Sequence, residues 1–84
     1  MPKSSPQEDN VIGRHVRRQL NRRYVDCSKV QVRVSYGVVY LTGEMRKPRG
    51  FQGTLKDELE IIRNILLHIQ GIKEIADHDL RLVE

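Results

Sequence analysis

Side chains with acid–base or metal-binding chemistry are scattered along this chain. None of the three histidines, His15, His68 and His78, has a second ligand four residues away, the spacing of a metal pair on a helix. Asp77 and Asp79 flank His78, a grouping that could touch a cation but is more typical of a polar turn entering a strand. A hydrolytic centre needs a nucleophile, a base and an orienting group that converge. The sequence therefore predicts no enzyme, no cofactor, no metal site and no small-molecule substrate.

The single cysteine and the glycines offer no catalytic chemistry either. Cys27 lies near Asp26 and Lys29 without a recognisable catalytic context, so a structural or idle thiol is favoured. One cysteine forbids an internal disulfide, which agrees with a reducing compartment. No phosphate-cradling spacing is present among Gly37, Gly43, Gly50, Gly53 and Gly71.

A run of arginines is the strongest chemical signal. The segment 14–23 has no acid and carries Arg14, Arg17, Arg18, Arg22 and Arg23. The chain has a net charge of +4, and a basic excess concentrated in one segment indicates an anionic partner: phospholipid, nucleic acid or an acidic protein surface. The alternative is a solvated helix face without a partner.

A second basic stretch lies in the predicted loop 45–53, which one proline and two glycines keep from any regular period. Its cations are Arg46, Lys47 and Arg49, and it also carries Phe51, the only phenylalanine. Phe51 could insert into a membrane surface beside these charges, or fold back on the core.

The helix that positions the first arginines is predicted to run from Asp9 or Asn10, either of which can cap it, to about Arg23. Its buried stripe recurs every four residues: Ile12, Val16, Leu20 and Tyr24. At about 100° per residue, Arg14, Arg18 and Arg22 fall on roughly the opposite side, in a row about 12 Å long.

A hairpin follows this helix. The segment 29–35 alternates apolar and polar residues as a half-buried strand does, and Tyr36-Gly37 suits a two-residue turn. This turn pairs Val34 with Val39 and Val32 with Leu41 on the core face, and Arg33 with Tyr40 on the other. Gly43 is expected to end the second strand or to form a bulge. Arg33 and Tyr40 are either an incidental cross-strand pair or a contact for a nucleic-acid base.

The second half of the chain predicts a helix and a final strand. Thr54 with Asp57 resembles a capping box, and the helix is expected to reach about Gln70, with Gly71 as its stop. Its apolar arc is wide, which indicates deep burial or a flank that contacts another subunit; the arc contains Leu55, Leu59, Ile61, Ile62, Ile65, Leu66 and Ile69. The closing strand is predicted over 72–83, with Ile75, Leu80 and Leu82 in the core.

The predicted fold class is therefore α/β (α+β): a two-layer sandwich with the order α-β-β-α-β, a three-stranded sheet and both helices on one face. With 84 residues, 38% hydrophobic and 31% charged, the chain suits one globular domain over 9–84, preceded by a flexible polar tail over 1–8. There is no apolar run near about 18 residues and no apolar signal core at the start. A cytoplasmic location is expected, or an envelope location if the chain is part of a longer one.

The arrangement resembles the BON domain, a family named for bacterial osmotically inducible and nodulation-related proteins. The resemblance rests on the helix motif Asp9-Asn10…Ile12…Val16…Leu20, the strand 30–34, the run 36–44 (YGVVYLTGE), the segment from Ile65 through Gly71-Ile72 to Ile75, and the closing Leu80-Arg81-Leu82. It covers nearly all of the chain after the polar tail. It implies a non-enzymatic binding module that attaches to phospholipid surfaces or mediates contacts between envelope proteins.

The function expected from the sequence is docking on anionic phospholipid or an acidic protein partner. The residues expected to make that contact are Arg14, Arg17, Arg18, Arg22, Arg46, Lys47, Arg49 and Phe51. One alternative is a protein-interaction or homo-oligomerisation domain that uses the second helix or a sheet edge. The other is an RNA- or DNA-binding module that uses Arg33 and Tyr40.

Overall fold

In the computed structural model, which describes residues 6–84, two helices cover one face of a four-stranded sheet. The elements are α1 (Pro6–Asn21), β1 (Asp26–Ser35), β2 (Val38–Arg46), α2 (Leu55–Leu67), β3 (Glu74–Ala76) and β4 (Leu80–Val83). The predicted α+β class, with both helices on one sheet face, is confirmed. The order is α-β-β-α-β-β, so the predicted count of three strands is wrong. Residues 1–5 of the predicted tail lie outside the described residues.

Helix α1 begins at Pro6, three residues before the predicted cap Asp9, so 6–8 are helical rather than part of a tail. Proline suits the first helical turn, where its missing N–H leaves no hydrogen bond unmade. The helix ends at Asn21, two residues before the predicted end at Arg23. The Arg22 and Arg23 amides still donate to carbonyls three residues back, as in a tightened last turn.

The buried stripe of α1 is confirmed at Ile12, Val16 and Leu20, and it is wrong at Tyr24. Because the helix has already ended, the four-residue period no longer applies at Tyr24, whose side chain is 81% exposed. Val25 takes the core position instead.

The hairpin has the predicted register: Val34 pairs with Val39, Val32 with Leu41 and Arg33 with Tyr40. The turn residues Tyr36 and Gly37 have φ angles of 51° and 81°, the pair of positive values that defines a type I′ turn. Its twist matches that of the strands, which is why two residues suffice to connect them.

Gly43 does not end β2, which continues to Arg46. Its φ angle is 92°, and a Cβ atom at this position would lie 2.1 Å from the Lys29 carbonyl oxygen. The partner strand β1 has a bulge between Asp26 and Lys29, and this irregularity brings the Lys29 backbone close. Only glycine fits there.

Strand β2 is the centre of the sheet, with β1 antiparallel on one side and β3 and β4 both parallel to it on the other. The single last strand predicted over 72–83 is therefore divided. Residues 77–79 form a turn in which the Leu80 amide donates to the Asp77 carbonyl oxygen at 3.1 Å. The Asp77 carboxylate accepts from Arg63 on α2 at 2.8 Å, which fixes this turn against the helix layer.

Helix α2 begins as predicted, with the Thr54 hydroxyl accepting from the Asp57 amide at 3.1 Å. It ends at Leu67, three residues before the predicted Gln70. Its wide apolar arc mostly faces the sheet, since Leu55, Ile62 and Leu66 are buried. Two apolar residues of α2 are exposed: Ile61, which belongs to this arc, and Leu67, which does not. They are six residues apart and lie on different sides of the helix.

One hydrophobic core lies between the helices and the sheet. The strands contribute Val30, Val39, Leu41, Met45 and Ile75 to it. Leu80 and Leu82, predicted as core residues, are partly buried and pack against this cluster, while Ile75 is fully buried. Neither α1 nor α2 covers the opposite sheet face, where the polar side chains of β1 and β2 lie.

Candidate functional site

Arg14 and Arg18 lie on the exposed face of α1, and Arg22 is exposed just past its end. We call these three residues the basic row. None of them forms an ion pair with a carboxylate of the part of the chain that the structure describes. The four-residue spacing on a 3.6-residue helix puts Arg14 and Arg18 on one face of α1, whereas Arg22 comes one residue after the last helical residue, Asn21. All three side chains are exposed to solvent.

Arg17 was grouped with these residues in the sequence prediction, but its side chain points toward the sheet. Its guanidinium donates to the Cys27 carbonyl oxygen at 3.0 Å and also to the Val30 carbonyl oxygen. Cys27 lies in the bulge of β1, and Val30 follows it on this edge strand; Arg17 supplies donors to a main-chain oxygen of each. Arg17 thus ties α1 to β1, and we leave it out of the basic row.

Arg23, the last arginine of the run, is also committed inside the molecule. Its Nε atom donates to Glu58 Oε2 at 2.5 Å, and Glu58 is only 6% exposed. This hydrogen bond to the carboxylate raises the pKa of Arg23 above its usual value. The pair connects the end of α1 to α2, so a guanidinium that looks free in the sequence is structural.

The loop cations predicted to assist the first helix are partly neutralised. Arg46 pairs with Glu44 at 2.9 Å, and Lys47 lies 3.7 Å from the Glu84 carboxylate. The hydrogen bond from Arg46 lowers the pKa of Glu44, so the carboxylate keeps its charge. Arg49 is exposed and pairs with none of the described carboxylates. Of the three loop cations, Arg49 is the one that remains open to an external anion.

Phe51 is half-buried and packs against the hydrophobic core, which is the folded-back alternative weighed in the sequence. Its amide donates to the Pro48 carbonyl oxygen at 3.1 Å, which closes a turn in the loop. Phe51 is therefore held by the fold, and one part of its ring remains at the surface.

Tyr24 is the surface residue that the sequence reasoning missed. With Pro48, Arg49 and Phe51 it lines a groove of about 450 Å³ between the end of α1 and the loop. Arg22 lies two residues before Tyr24 in the sequence, and Arg49 lines the same groove as the exposed Tyr24 ring. The signal available in the sequence was Val25, a second apolar candidate for the core directly after Tyr24.

Arg33 and Tyr40 meet on the open sheet face as predicted. The guanidinium carbon lies 4.9 Å from the centre of the Tyr40 ring, which is a cation–π contact. The pair lines a groove of about 600 Å³ together with Gln31, Thr42 and Asp79. Arg33 covers one face of the ring, and the Asp79 carboxylate borders the same groove. The guanidinium therefore occupies one of the two faces of the Tyr40 ring on which a nucleic-acid base could stack.

Metal-ligating and nucleophilic side chains elsewhere in the described part of the chain are scattered. Within residues 6–84, no three His, Cys, Asp or Glu side chains are grouped closely enough to hold a metal ion. Burial raises the pKa of the Cys27 thiol, which lowers its thiolate fraction and its reactivity. Neither described helix has the length and apolarity that a bilayer crossing requires. Comparison with protein families, with curated proteins and with solved structures finds no match for this chain.

Proposed function

We propose that this protein is a non-enzymatic, BON-like docking module that binds anionic phospholipid surfaces through the basic row. The observation that carries the proposal is the set of three exposed guanidinium groups, unpaired among the described residues, with the exposed ring of Tyr24 two residues after Arg22. The sequence resemblance to BON domains supports the same class of partner.

The combination of arginine and tyrosine favours a lipid headgroup region over other anionic partners. Arginines there contact phosphates, and tyrosine places its ring among the upper acyl chains with its hydroxyl in water. Tyr24 is exposed and shares a groove with Arg49, two residues after Arg22 in the sequence. A nucleic acid would use the sheet face instead, where Arg33 already occupies one face of the Tyr40 ring. An acidic protein surface is the competing partner, and it is favoured if the test below finds no preference for anionic over neutral vesicles.

The affinity of one domain is small by electrostatics alone. Each arginine near an anionic surface contributes about 1 kcal/mol, so the basic row with Arg49 contributes about 4 kcal/mol, or roughly millimolar binding. Binding of this strength falls with ionic strength, because the charges are exposed. Several copies on one assembly would raise the apparent affinity without new contacts.

The test is co-sedimentation with vesicles of phosphatidylcholine alone or with about 30% phosphatidylserine, at about 0.03 M and about 0.15 M salt. The variant Arg14→Gln/Arg18→Gln/Arg22→Gln removes three charges from the basic row. Its matched control, Lys29→Gln/Lys56→Gln/Lys73→Gln, removes three exposed charges elsewhere, so the net charge falls from +4 to +1 in both.

We expect the wild type and the lysine control to pellet with anionic vesicles at low salt and the arginine variant to stay in the supernatant. The single variant Tyr24→Ala should also bind anionic vesicles more weakly than the wild type, at either salt concentration. Equal recovery with neutral and anionic vesicles refutes lipid docking. Equal loss in both triple variants shows attraction by net charge without a site, and that result also contradicts the proposal.

A further inference from the structure

A second groove, of about 350 Å³, lies between α1 and the edge of β1. We call it the edge groove. Its helix side is formed by Asp9, Gly13 and Arg14, and its strand side by Val32, Arg33 and Val34. It is separate from the groove beside Tyr24 and shares only Arg14 with the basic row.

The strand side of the edge groove carries main-chain groups that β2 does not bond. Antiparallel partners alternate between bonded and non-bonded pairs, and the pair flanking a two-residue turn, Ser35 and Val38, is bonded. Arg33 and Gln31, which lie two and four residues before Ser35, are hydrogen-bonded to β2 as well. The N–H and C=O groups of Val32 and Val34 therefore point away from β2, along the outer edge of the sheet.

Arg17 shows that an outward main-chain oxygen of this edge can accept a donor from outside the sheet. Its guanidinium donates to the Val30 carbonyl oxygen, which belongs to the same outward-pointing set as those of Val32 and Val34. Arg17 thereby closes the edge at Val30 and leaves a two-residue stretch open in the groove. Unpaired edge groups of this kind are a template for a further strand.

Two features of the helix side, at Asp9 and Gly13, do not contribute to the stability of the fold. Asp9 Oδ1 is buried and has no hydrogen-bond partner among the described atoms. Gly13 is in the interior of α1, where glycine costs about 1 kcal/mol relative to alanine. An alanine Cβ there would only touch Val34 Cγ2 at 3.9 Å, so packing does not require glycine. Gly13 keeps the groove open, and Asp9 presents an acceptor within it.

The charge of the edge groove selects its occupant. Arg14 lies on the helix side, and Arg33 with Lys29 lies along the outward face of β1. The acid on that face of the strand, Asp26, lies beyond Lys29 at the far end of β1, and Asp9 is the one acid among the residues that line the groove. A second copy paired through β1 would set these cations against each other, which is unfavourable. Residues 1–5 of this chain include Lys3 and no acid, so they have the wrong charge as well.

We infer that the edge groove binds an extended acidic peptide segment of another protein as an additional strand beside β1. Its main chain pairs with Val32 and Val34. Because successive residues of a strand alternate in direction, every second residue lies on the side of Arg33 and is acidic. The residues between them face α1, are small, and carry hydroxyl groups that donate to Asp9. This inference does not depend on lipid docking, because its tests leave the basic row unchanged.

The probe is an acetylated and amidated heptapeptide, Thr-Glu-Thr-Glu-Thr-Glu-Thr, titrated into the isotope-labelled full chain and followed by amide NMR. We expect the Val32 and Val34 amide signals to shift and their hydrogen exchange to slow at least about tenfold at saturation. The lysine analogue, Thr-Lys-Thr-Lys-Thr-Lys-Thr, should not bind. Equal binding of both peptides, or no shift at millimolar peptide, overturns the inference.

Two matched pairs of variants test the edge and the space separately. Val32→Pro removes an N–H that β2 does not use, so the hairpin ladder is retained, and it should weaken peptide binding at least about tenfold. Val32→Ala keeps the N–H and should change binding less than about threefold. Gly13→Leu fills the groove and should block the peptide, whereas Gly13→Ala should bind as the wild type does.

These pairs keep the inference falsifiable if one variant folds poorly. Unchanged binding in both Val32→Pro and Gly13→Leu refutes it. Shifts of the Val32 and Val34 amides with protein concentration, in the absence of peptide, would assign the groove to a second copy and overturn the peptide assignment.

Discussion

Replacing Arg17 by alanine should destabilise the protein, whereas replacing the neighbouring Arg14 or Arg18 by alanine should leave its stability nearly unchanged. The Arg17 guanidinium donates to the Cys27 and Val30 carbonyl oxygens from a partly buried position. Arg14 and Arg18 are exposed and make no ion pair with the described carboxylates. The three residues are chemically identical and lie within the five positions 14–18. A difference in stability between their alanine variants can therefore only come from the contacts that the fold provides.

The magnitude follows from the two hydrogen bonds. A bond from a charged donor contributes about 1.5–3 kcal/mol, and water can partly replace the donor at this open edge, so we expect a loss of about 2–3 kcal/mol for Arg17→Ala. In a domain of this size the melting temperature then falls by roughly 8–20 °C. Arg14→Ala and Arg18→Ala should each stay within about 0.5 kcal/mol of the wild type.

The assay is urea unfolding followed by far-ultraviolet circular dichroism, with tyrosine emission as a second probe. With a slope near 1 kcal/mol per molar urea, the midpoint of Arg17→Ala should fall by about 2–3 M at an unchanged slope. Arg17→Lys should recover only part of the loss, because one ammonium group lacks the planar fork that reaches two carbonyls. A midpoint for Arg17→Ala equal to that of Arg14→Ala would refute the reasoning.

Three further predictions concern the strands. Gly43→Ala should cost more than about 3 kcal/mol and leave little folded protein in circular dichroism, because its Cβ would lie 2.1 Å from the Lys29 carbonyl oxygen at a φ of 92°. Tyr36→Asn should raise the free energy of unfolding by about 0.5–1 kcal/mol, because asparagine accepts the positive φ of the turn more readily. The stabilising effect of Glu44 should disappear in acid: hydrogen bonding from Arg46 lowers its folded-state pKa below the ordinary 4.5, so its contribution is present above that pH and is lost as the pH falls through the folded pKa.

Each of these predictions has a contrary result that is easy to recognise. A folded Gly43→Ala protein of near wild-type stability would show that the two strands can separate there at little cost. Tyr36→Ala is the control for the turn, since alanine does not favour positive φ, and equal gains from both substitutions would rule out the turn explanation. For Glu44, urea midpoints of Glu44→Gln should approach those of the wild type below about pH 4.5; a constant gap down to low pH would contradict the assignment.

The local features of the fold could be predicted from the sequence because neighbours along the chain determine them. The alternation over 29–35 and a two-residue turn at Tyr36-Gly37 fix which side chains face each other, so the pairing of Arg33 with Tyr40 followed directly. The Thr54–Asp57 cap and the burial of Ile12, Val16 and Leu20 were predictable for the same reason. In each case the period of a helix or strand determines which side chains share a face.

Where an element stops is less well determined, and several errors come from that. Extending the four-residue period past Asn21 made Tyr24 a core residue, whereas the helix had ended and Val25 entered the core. The last strand was drawn as one element, but the bond between Arg63 and Asp77 holds a turn that divides it. Both outcomes depend on contacts with residues distant in the sequence.

The sequence by itself determined the basic excess of the first helix, its amphipathic division and the hairpin that follows. Tertiary structure alone decided which arginines remain at the surface. Arg17 lies on the flank of α1 that faces the bulge of β1, and Arg23 meets the buried Glu58 of α2. Helical period specifies the direction of a side chain relative to its own axis. Only the packing of that axis against the sheet determines whether a main-chain oxygen, a carboxylate or solvent lies in that direction.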